Sequence, residues 1–295
     1  MRSMLFVPGD RPERFAKAVA SGADGVILDL EDAVAPPQRP LARQAIAAFL
    51  AESAAASAAR RVPLWVRINP VAGEALVDLC AVLPGRPDGI VLPKARNGAD
   101  VLQVDHWLQA LECAQGFAPG GIRLLPMITE TAGAMLAMAS FVPAPPRVLA
   151  MTWGAEDLAA ELGAAVNRDA AGQFLPAYQW ASVQCQLAAA AAGVMAMDTV
   201  DTEIRDLEAF AARARASRQA GYIGKLAIHP AQIAPIHEAF TPSADEVNWA
   251  KAVQQAFAEV PDAGALRLAG KLVDRPHLLQ AQRILAVAHG LASRQ

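Results

Sequence analysis

The stretch Gly25-Val26-Ile27-Leu28-Asp29-Leu30-Glu31-Asp32 joins a short apolar run to a cluster of carboxylates. Its first residues show no alternation of polar and apolar side chains, which is typical of a strand buried on both faces of a parallel sheet. Since the carboxylates follow directly, they would project from the carboxyl end of that strand. The segment therefore predicts a parallel α/β fold with charged groups at one edge of its sheet.

Short apolar runs of this kind alternate with helix-length segments along most of the chain. The candidate strands are Met4–Val7, Gly25–Leu30, Leu64–Asn69, Gly89–Leu92, Arg123–Ile128, Val148–Thr152, Val194–Met197 and Lys225–Ile228. The longer helical patterns between them are Arg39–Ala59, Ala99–Gln115, Ala177–Ala192 and Thr202–Gln219. Eight βα units favour a closed (β/α)8 TIM barrel, for which about 250 residues suffice, over an open doubly wound sheet.

The chain continues well beyond the eighth candidate strand. We assign residues 1–240 to the barrel and residues 241–295 to a C-terminal helical extension. Helical patterns cover Ser243–Val260 and His277–Leu291, and Pro261-Asp262-Ala263-Gly264 separates them. The extension could pack on its own barrel or on a neighbouring subunit, and we expect the neighbouring subunit.

Composition excludes several classes of protein. The net charge is −3 and no basic stripe is present, which disfavours nucleic acid as a partner. The three cysteines, Cys80, Cys113 and Cys185, form no CxxC pair, so a disulfide framework or zinc site is not expected. With no apolar run as long as a signal peptide or membrane helix requires, we expect a cytoplasmic protein without membrane contact.

Charged residues follow five successive candidate strands. They are Asp29, Glu31 and Asp32 after the second strand, Arg67 in the third, Lys94 after the fourth, Glu130 after the fifth and Asp157 after the sixth. In a (β/α)8 barrel the carboxyl ends of the strands carry the catalytic groups. These side chains are therefore expected to share one rim.

Two of these carboxylates, Glu130 and Asp157, come from neighbouring strands and suggest a metal site. Mg²⁺ prefers oxygen ligands and keeps several coordination positions for water or substrate. Such a site could chelate a 2-oxo or 2-hydroxy acid. The alternative is that both residues merely complement the positive ends of helices.

Arg67 lies inside an apolar strand, where an unpaired charge is costly. It is therefore expected either to bind a substrate carboxylate or thioester oxygen, or to form a salt bridge with Asp29 or Asp32. The residues alone leave both possibilities open.

Other polar groups at the same rim have two possible roles each. Lys94 could orient a carboxylate or form a Schiff base with a carbonyl substrate. The amides of Gly154, Ala155 and Glu156, at the start of a helix, could hold a carboxylate. His229 is expected to cap a loop, with ligand contact as the alternative.

Several segments together resemble the citrate lyase β-subunit group of the HpcH/HpaI aldolase superfamily, which includes malyl-CoA and citramalyl-CoA lyases. The segments that carry the resemblance are Arg2–Gly9, Leu28–Val34, Val66–Asn69, Leu92–Lys94, Gly154–Leu158 and Gly224–Gln232. Their order and their spread along the chain make the combination specific, although each segment alone is weak.

The resemblance implies a (β/α)8 barrel that forms a homo-oligomer, a trimer or hexamer. It implies Mg²⁺ held by Glu130 and Asp157, with Arg67 acting on the substrate. Around these ligands we place Asp29, Glu31, Asp32 and Lys94. Relatives cleave citryl-, malyl- or citramalyl-CoA to acetyl-CoA and an oxo acid without a Schiff base, which disfavours an imine at Lys94.

The segment Leu272–Leu278 resembles a C-terminal motif of the longer lyases, in which an aspartate acts as acid/base in the adjacent subunit. The matching residue is Asp274. Family members often carry a polar residue where this chain has Ala269. The alternative for Asp274 is a helix N-cap before Pro276.

The expected function is thus Mg²⁺-dependent carbon–carbon lysis of a 3-hydroxyacyl-CoA thioester. One alternative is a free-acid aldolase of the same superfamily that produces pyruvate. Another is a non-catalytic subunit of a lyase complex that works with an acyl-carrier partner. The sequence leaves open which thioester is the substrate.

Overall fold

The computed structural model describes residues 1–55 and 62–292. The chain divides into two compact units, Met1–Ala239 and Phe240–Gln295. Each unit has its own secondary structure and its own apolar core.

All eight predicted strands are found in the first unit. They are β1 (Ser3–Pro8), β2 (Gly25–Asp29), β3 (Leu64–Arg67), β4 (Gly89–Leu92), β5 (Arg123–Pro126), β6 (Ala150–Thr152), β7 (Met195–Met197) and β8 (Lys225–Ala227). Every residue of β2 is buried, as its continuous apolar run predicts.

The strands form a curled parallel sheet. Six of them pair in the order β5-β4-β3-β2-β1-β8, and β6 pairs with β7. Isolated parallel bridges, Leu124 with Val148 and Met127 with Thr152, connect β5 to the β6 region. Another parallel bridge, Asp198 with Lys225, connects the end of β7 to β8. The molecule is therefore an α/β protein whose strand ends converge on one side.

Helices follow most strands of the first unit. They are α1 (Phe15–Val19), α2 (Arg39–Ala55), α3 (Ala75–Val82), α4 (Gly98–Ala114), α5 (Ala132–Leu136), α6 (Glu156–Leu162), α7 (Pro176–Ala191), α8 (Leu207–Ala220) and α9 (Ile233–Phe240). Among residues 1–55 and 62–292, no helix has both the length and the apolar character that crossing a bilayer requires.

Two predicted helix boundaries differ from the structure. The helix α8 begins at Leu207 and not at Thr202, because the Asp206 side chain caps it by accepting the Ala209 N–H at 2.9 Å. The helix α2 reaches Ala55, and the last residues of the predicted segment, 56–59, lie outside the described ranges. The short helices α3, α5 and α9 had not been predicted, whereas the start of α6 after Gly154 had.

One apolar cluster occupies the interior of the curled sheet. Each of the eight strands contributes one buried residue to it: Met4, Ile27, Trp65, Val91, Leu125, Ala150, Met197 and Leu226. Met127, directly after β5, joins the same cluster. The Trp65 ring lies against Gly89 so closely that a Cβ atom there would be 2.3 Å from the ring. Burial of such side chains contributes about 1.5–3 kcal/mol each to folding.

The second unit contains two long helices and a β-hairpin. Its elements are α10 (Ala244–Glu259), β9 (Ala265–Leu268), β10 (Lys271–Asp274) and α11 (Arg275–Ala292). The two helices confirm the predicted patterns, and the hairpin between them had not been predicted. Ala269 and Gly270 form the two-residue turn of the hairpin with φ of 47° and 80°, and positive φ at both positions is typical of a type I′ turn.

A small core holds the second unit together. Its buried residues are Ala250, Val253, Phe257, Val273, Ala281 and Leu285. Ser243 begins α10 with a reciprocal capping box to Glu246, which satisfies two main-chain N–H groups at the helix start.

Candidate active site

A cavity of about 280 Å³ lies at the carboxyl ends of the strands in the first unit. Its lining residues are Phe6, Pro8, Asp29, Asp32, Ala33, Arg67, Met127, Glu130, Gly154, Ala155, Glu156, Asp157, Thr199, Val200 and Ile228. Most of the charged residues that the sequence singled out thus lie around one cavity, as their positions at the strand ends predict. Glu31 and Lys94 are not in the lining but contact residues that are.

Arg67 is fixed by carboxylates on the neighbouring strand end. Its guanidinium donates to both oxygens of Asp29 at 2.6 Å and lies 2.9 Å from Glu31 Oε2. It also stacks over the Phe6 ring, 4.8 Å from the centroid. Burial alone would lower the pKa of Arg67, but Asp29 and Glu31 raise it above its usual value. The predicted salt bridge to Asp29 is therefore present, and Arg67 lines the cavity as well.

Lys94 links several carboxylates through two different groups. Its ammonium contacts Glu31 and lies 3.0 Å from both Asp32 Oδ2 and Asp157 Oδ1. Its main-chain N–H donates to Glu130 Oε2 at 2.7 Å, with the backbone in the left-handed region at φ 49°. Burial would lower the pKa of Lys94, yet its hydrogen bond to Glu31 and the other carboxylates raise it. The amine is therefore held charged, which argues against imine formation.

Glu130 is buried, with 2% of its surface exposed. Burial raises the pKa of Glu130 to about 8, and the negative charges of Asp157 and Glu31 contribute to the rise. Burial also raises the pKa of Glu31 to about 7, although Arg67 and Lys94 oppose this effect. Adding positive charge near Glu130 and Asp157 would therefore be favourable.

The carboxylates at this rim outnumber the cations. In the described part of the chain, the charge interactions of this rim join five carboxylates, Asp29, Glu31, Asp32, Glu130 and Asp157, to two cations, Arg67 and Lys94. Within the described ranges, no group of three or more His, Cys, Asp or Glu side chains is arranged to hold a metal ion. Glu130 and Asp157, whose charges interact, are a pair of oxygen donors of the kind that Mg²⁺ prefers when water or substrate supplies the other ligands.

The segment that connects β6 to α6 lies directly against Glu130. A Cβ atom on Gly154 would be 2.5 Å from Glu130 Oε1, so this approach requires glycine. The N–H of Gly154 donates to Thr129 Oγ1 at 3.1 Å. The Gly154 N–H, which was predicted to bind a carboxylate, is therefore already engaged by Thr129, although Gly154, Ala155 and Glu156 all line the cavity.

A buried network after β7 supports the same segment. The Trp153 indole N–H donates to Asp198 Oδ1 at 2.9 Å, and the Lys225 ammonium lies 2.6 Å from Asp198 Oδ2. Lys225 also donates to the carbonyl oxygen of Thr199 at 2.8 Å. Sequence reasoning missed this network. Its signal was the charged lysine at the start of β8, which burial forces to find an anionic partner.

Sequence reasoning also missed the apolar lining, which comprises Phe6, Pro8, Met127, Val200 and Ile228. His229, directly after Ile228, acts as the loop cap that was expected. Its Nδ1 accepts the Ala231 N–H at 3.2 Å, and Gln232 completes a capping box.

Asp274 belongs to the second unit, where it is the last residue of β10, directly before α11. His277 Nδ1 lies 2.5 Å from Asp274 Oδ1, and this hydrogen bond lowers the pKa of the carboxyl group. The side chain is 43% exposed. It is therefore an ionised, accessible carboxylate in this unit.

Paired carboxylates at neighbouring parallel strand ends, beside a charged arginine, are typical of α/β proteins that carry out metal-assisted chemistry on small oxygen-rich acids. The chain belongs to the family described as HpcH/HpaI aldolase/citrate lyase, which matches residues 2–230.

Two relatives and one solved structure match nearly the whole chain. A citrate lyase subunit beta-like protein from Mycobacterium tuberculosis is 37% identical and covers 95% of this chain and 93% of its own length. An L-malyl-CoA/beta-methylmalyl-CoA lyase from Cereibacter sphaeroides is 33% identical over 99% of this chain and 96% of its own. The structure of CitE from Mycobacterium tuberculosis with magnesium, acetoacetate and coenzyme A has 34% identity, a TM-score of 0.76 and 98% coverage of both chains.

Proposed function

We propose that this protein is a Mg²⁺-dependent carbon–carbon lyase that cleaves a 3-hydroxyacyl-CoA thioester to acetyl-CoA and an oxo acid. The observation that carries the proposal is the cavity in which Glu130 and Asp157 face Arg67. The similarity to a malyl-CoA lyase and to a CitE structure with magnesium and coenzyme A supports it.

The catalytic unit in this proposal is a closed (β/α)8 barrel. The bridges from β5 to β6 and from β7 to β8 support closure, because they join the two-stranded pair to both ends of the six-stranded sheet. The interior cluster, with one side chain from each strand, supports it too.

Glu130 and Asp157 would hold the magnesium ion. The surplus of carboxylates around Arg67 and Lys94 supports this assignment, since a divalent cation would offset it. When bound, the ion would neutralise negative charge on the carboxylate and the hydroxyl or keto oxygen of the substrate. Asp29, Glu31, Asp32 and Lys94 hold the surrounding groups in place.

Arg67 acts on the thioester. When the substrate hydroxyl loses its proton, its oxygen becomes a keto group, the C–C bond breaks, and the electron pair moves onto the thioester as an enolate. Asp29 and Glu31 hold the Arg67 guanidinium in one orientation, so it can donate to the enolate oxygen without rearranging. Ala155 and Glu156, also in the lining, would position the substrate carboxylate with Gly154.

In the cleavage direction Asp274 would take up, through solvent, the proton that the substrate hydroxyl releases. It would then give that proton to the enolate carbon and return to its ionised form. In the condensation direction the same carboxylate removes a proton from acetyl-CoA. Its pKa, lowered by the hydrogen bond with His277, favours the ionised form that this direction needs. We assign Asp274 to the active site of a neighbouring subunit, in a homo-oligomer that is a trimer or hexamer.

Two alternatives stay in view. A free-acid aldolase that produces pyruvate would not need an acid/base from the extension, and a non-catalytic subunit would need an acyl-carrier partner.

The free cysteines Cys80, Cys113 and Cys185 fit a reducing compartment, in keeping with a cytoplasmic enzyme.

The test is to incubate the pure protein with Mg²⁺ and a panel of 3-hydroxyacyl-CoA thioesters, and to measure the released oxo acid. We expect turnover that stops with excess chelator and returns with Mg²⁺. Glu130→Gln and Asp157→Asn, which remove charge but little volume, should lose turnover and keep the fold. Release of pyruvate from free-acid aldols at higher kcat/KM than from any thioester would contradict the proposal, as would full activity in chelator.

A further inference from the structure

The cavity has two chemically different halves. One half, from the ends of β2 to β6 and the segments after them, carries its charged residues: Asp29, Asp32, Arg67, Glu130, Glu156 and Asp157. The other half comes from β1 and from the segments after β7 and β8. Phe6, Pro8, Val200 and Ile228 make it apolar, and Thr199 is its polar member.

Within the described lining, Arg67 is the only cation among five carboxylates. Its guanidinium already donates to both oxygens of Asp29 and contacts Glu31. Behind the apolar half, Lys225 is buried and its ammonium is neutralised by Asp198 at 2.6 Å. Arg67 borders this half through Phe6, but the proposed function assigns its free donors to the enolate oxygen. A negative group that entered the apolar half would thus meet no further cation of the lining and would face the carboxylates opposite.

From this division we infer that the substrate carries a single free carboxylate, with a hydrogen or a short alkyl group as the other substituent on its hydroxyl-bearing carbon. The inference rests on the proposed lyase function and narrows it. A malyl or citramalyl thioester meets this description. A citryl thioester does not, because its carboxymethyl group brings a second negative charge into the cavity.

Desolvation and charge repulsion both favour a monocarboxylate substrate over a citryl thioester. A carboxylate without a partner loses its hydration on entering the cavity, and like charges nearby add to the cost. A methyl group against Val200 and Ile228 instead gains from leaving water. The relatives are named for both citrate lyase and malyl-CoA lyase, so membership in the family does not decide between these substrates.

The first test compares kcat/KM of the full-length protein for citramalyl-CoA, malyl-CoA and citryl-CoA with saturating Mg²⁺. We expect citryl-CoA to have a kcat/KM lower by about 10²-fold or more than the better monocarboxylate. A value for citryl-CoA within threefold of the best substrate would overturn the inference while leaving the lyase function in place.

The second test adds a cation to the apolar half. Ile228 is 40% exposed, so a longer side chain can reach solvent there without burying its stem. Ile228→Arg should raise the ratio of citryl-CoA to citramalyl-CoA kcat/KM by at least about tenfold. Ile228→Met, which changes shape and adds no charge, should leave that ratio close to wild type. An equal change in both variants would mean that shape and not charge controls the ratio.

A binding measurement separates this inference from the lyase function. With Mg²⁺ present, calorimetry on the wild-type protein should give tighter binding of pyruvate than of oxaloacetate. If no thioester is cleaved and pyruvate still binds more tightly, the lyase function is wrong and the charge preference holds. Tighter binding of oxaloacetate, with or without turnover, overturns the inference.

Discussion

Gly154 and Glu130 lie so close that any side chain at position 154 would collide with the carboxyl group. A Cβ atom there would be 2.5 Å from Glu130 Oε1 and 2.7 Å from its Cγ. Glu130 thus rests against bare backbone on one side and accepts the Lys94 N–H on the other. Its orientation is set by main-chain atoms, which are less free to move than side chains.

Gly154→Ala should therefore weaken Mg²⁺ binding, because the added methyl group pushes Glu130 away from Asp157. We expect a loss of about 10–100-fold in Mg²⁺ affinity, the range found when a group supporting a metal ligand is removed. Titration calorimetry with Mg²⁺ measures it. Gly133→Ala is the matched control, since a Cβ there comes no closer than 3.9 Å to any other group. Equal affinities in the two variants would mean that Glu130 is not a ligand.

Borohydride reduction in the presence of substrate or oxo acid should trap no adduct on the protein. A Schiff base requires a neutral amine, and the carboxylates of Glu31, Asp32 and Asp157 raise the pKa of Lys94. Intact-protein mass spectrometry reads the result directly. A mass increase that maps to Lys94 after digestion would restore the imine mechanism.

Asp274→Asn should lower kcat by about 10²-fold or more, as removal of a positioned acid/base does. Mg²⁺ affinity should be unchanged, because Glu130 and Asp157 belong to the other unit. Asp262→Asn, an exposed aspartate of the same unit, serves as the control and should keep wild-type kcat. A wild-type rate in Asp274→Asn would remove this residue from the mechanism.

Mixed oligomers test whether Asp274 acts on a neighbouring subunit. Asp274→Asn and Glu130→Gln subunits, each inactive alone, are unfolded together, refolded and isolated as hetero-oligomers by two different tags. Action between subunits pairs an intact barrel with an intact extension at some sites, so part of the activity should return. Verified hetero-oligomers without activity would place Asp274 in its own subunit's site or in none.

The Arg2–Asp24 pair should make stability depend on pH in the acid range. Burial alone would raise the pKa of Asp24, but hydrogen bonds and charge from Arg2 lower it to about 2. The stabilisation is thus complete above the ordinary pKa of 3.8 and is lost as pH falls towards 2. The shift corresponds to about 2 kcal/mol.

Asp24→Asn should accordingly lower the free energy of unfolding at pH 7 by about 2 kcal/mol, and the difference should shrink between pH 4 and pH 2. Urea denaturation across this pH range measures both proteins. Glu13→Gln is the control, because its side chain is 64% exposed and little stability is expected from it. A difference that stays constant with pH would show that charge is not the cause.

The sequence was sufficient to predict all eight strands of the first unit, because buried parallel strands leave short apolar runs whose length suits a strand better than a helix. The hairpin at Ala265–Asp274 escaped prediction. Its turn, Ala269-Gly270, lacks the Asn-Gly or Asp-Gly pair that marks type I′ turns, and its strands are only four residues long. An alanine at a turn position with positive φ cannot be distinguished in the sequence from an alanine in a helix or strand.

The candidate site was predicted unevenly for a related reason. Charged residues at strand ends stand out from apolar surroundings, so Arg67, Glu130 and Asp157 could be recognised from position alone. Val200 and Ile228 could not, because an apolar residue at a strand end has no mark that separates a cavity wall from a core. The sequence also could not decide whether Arg67 pairs with Asp29 or with Asp32. The register of β2 and β3, which places Asp29 opposite Arg67, decides it.

The two halves of the cavity also differ in where they come from along the chain. The charged half uses residues between 29 and 157, whereas the apolar half uses residues 6–8 and 199–228. Substitutions in the first strand or after β7 and β8 could therefore change which acid is bound without altering the charged residues to which we assign the metal ion and the enolate. Proteins that descend from one ancestral lyase could in this way come to use different acids as substrates while they keep the same reaction.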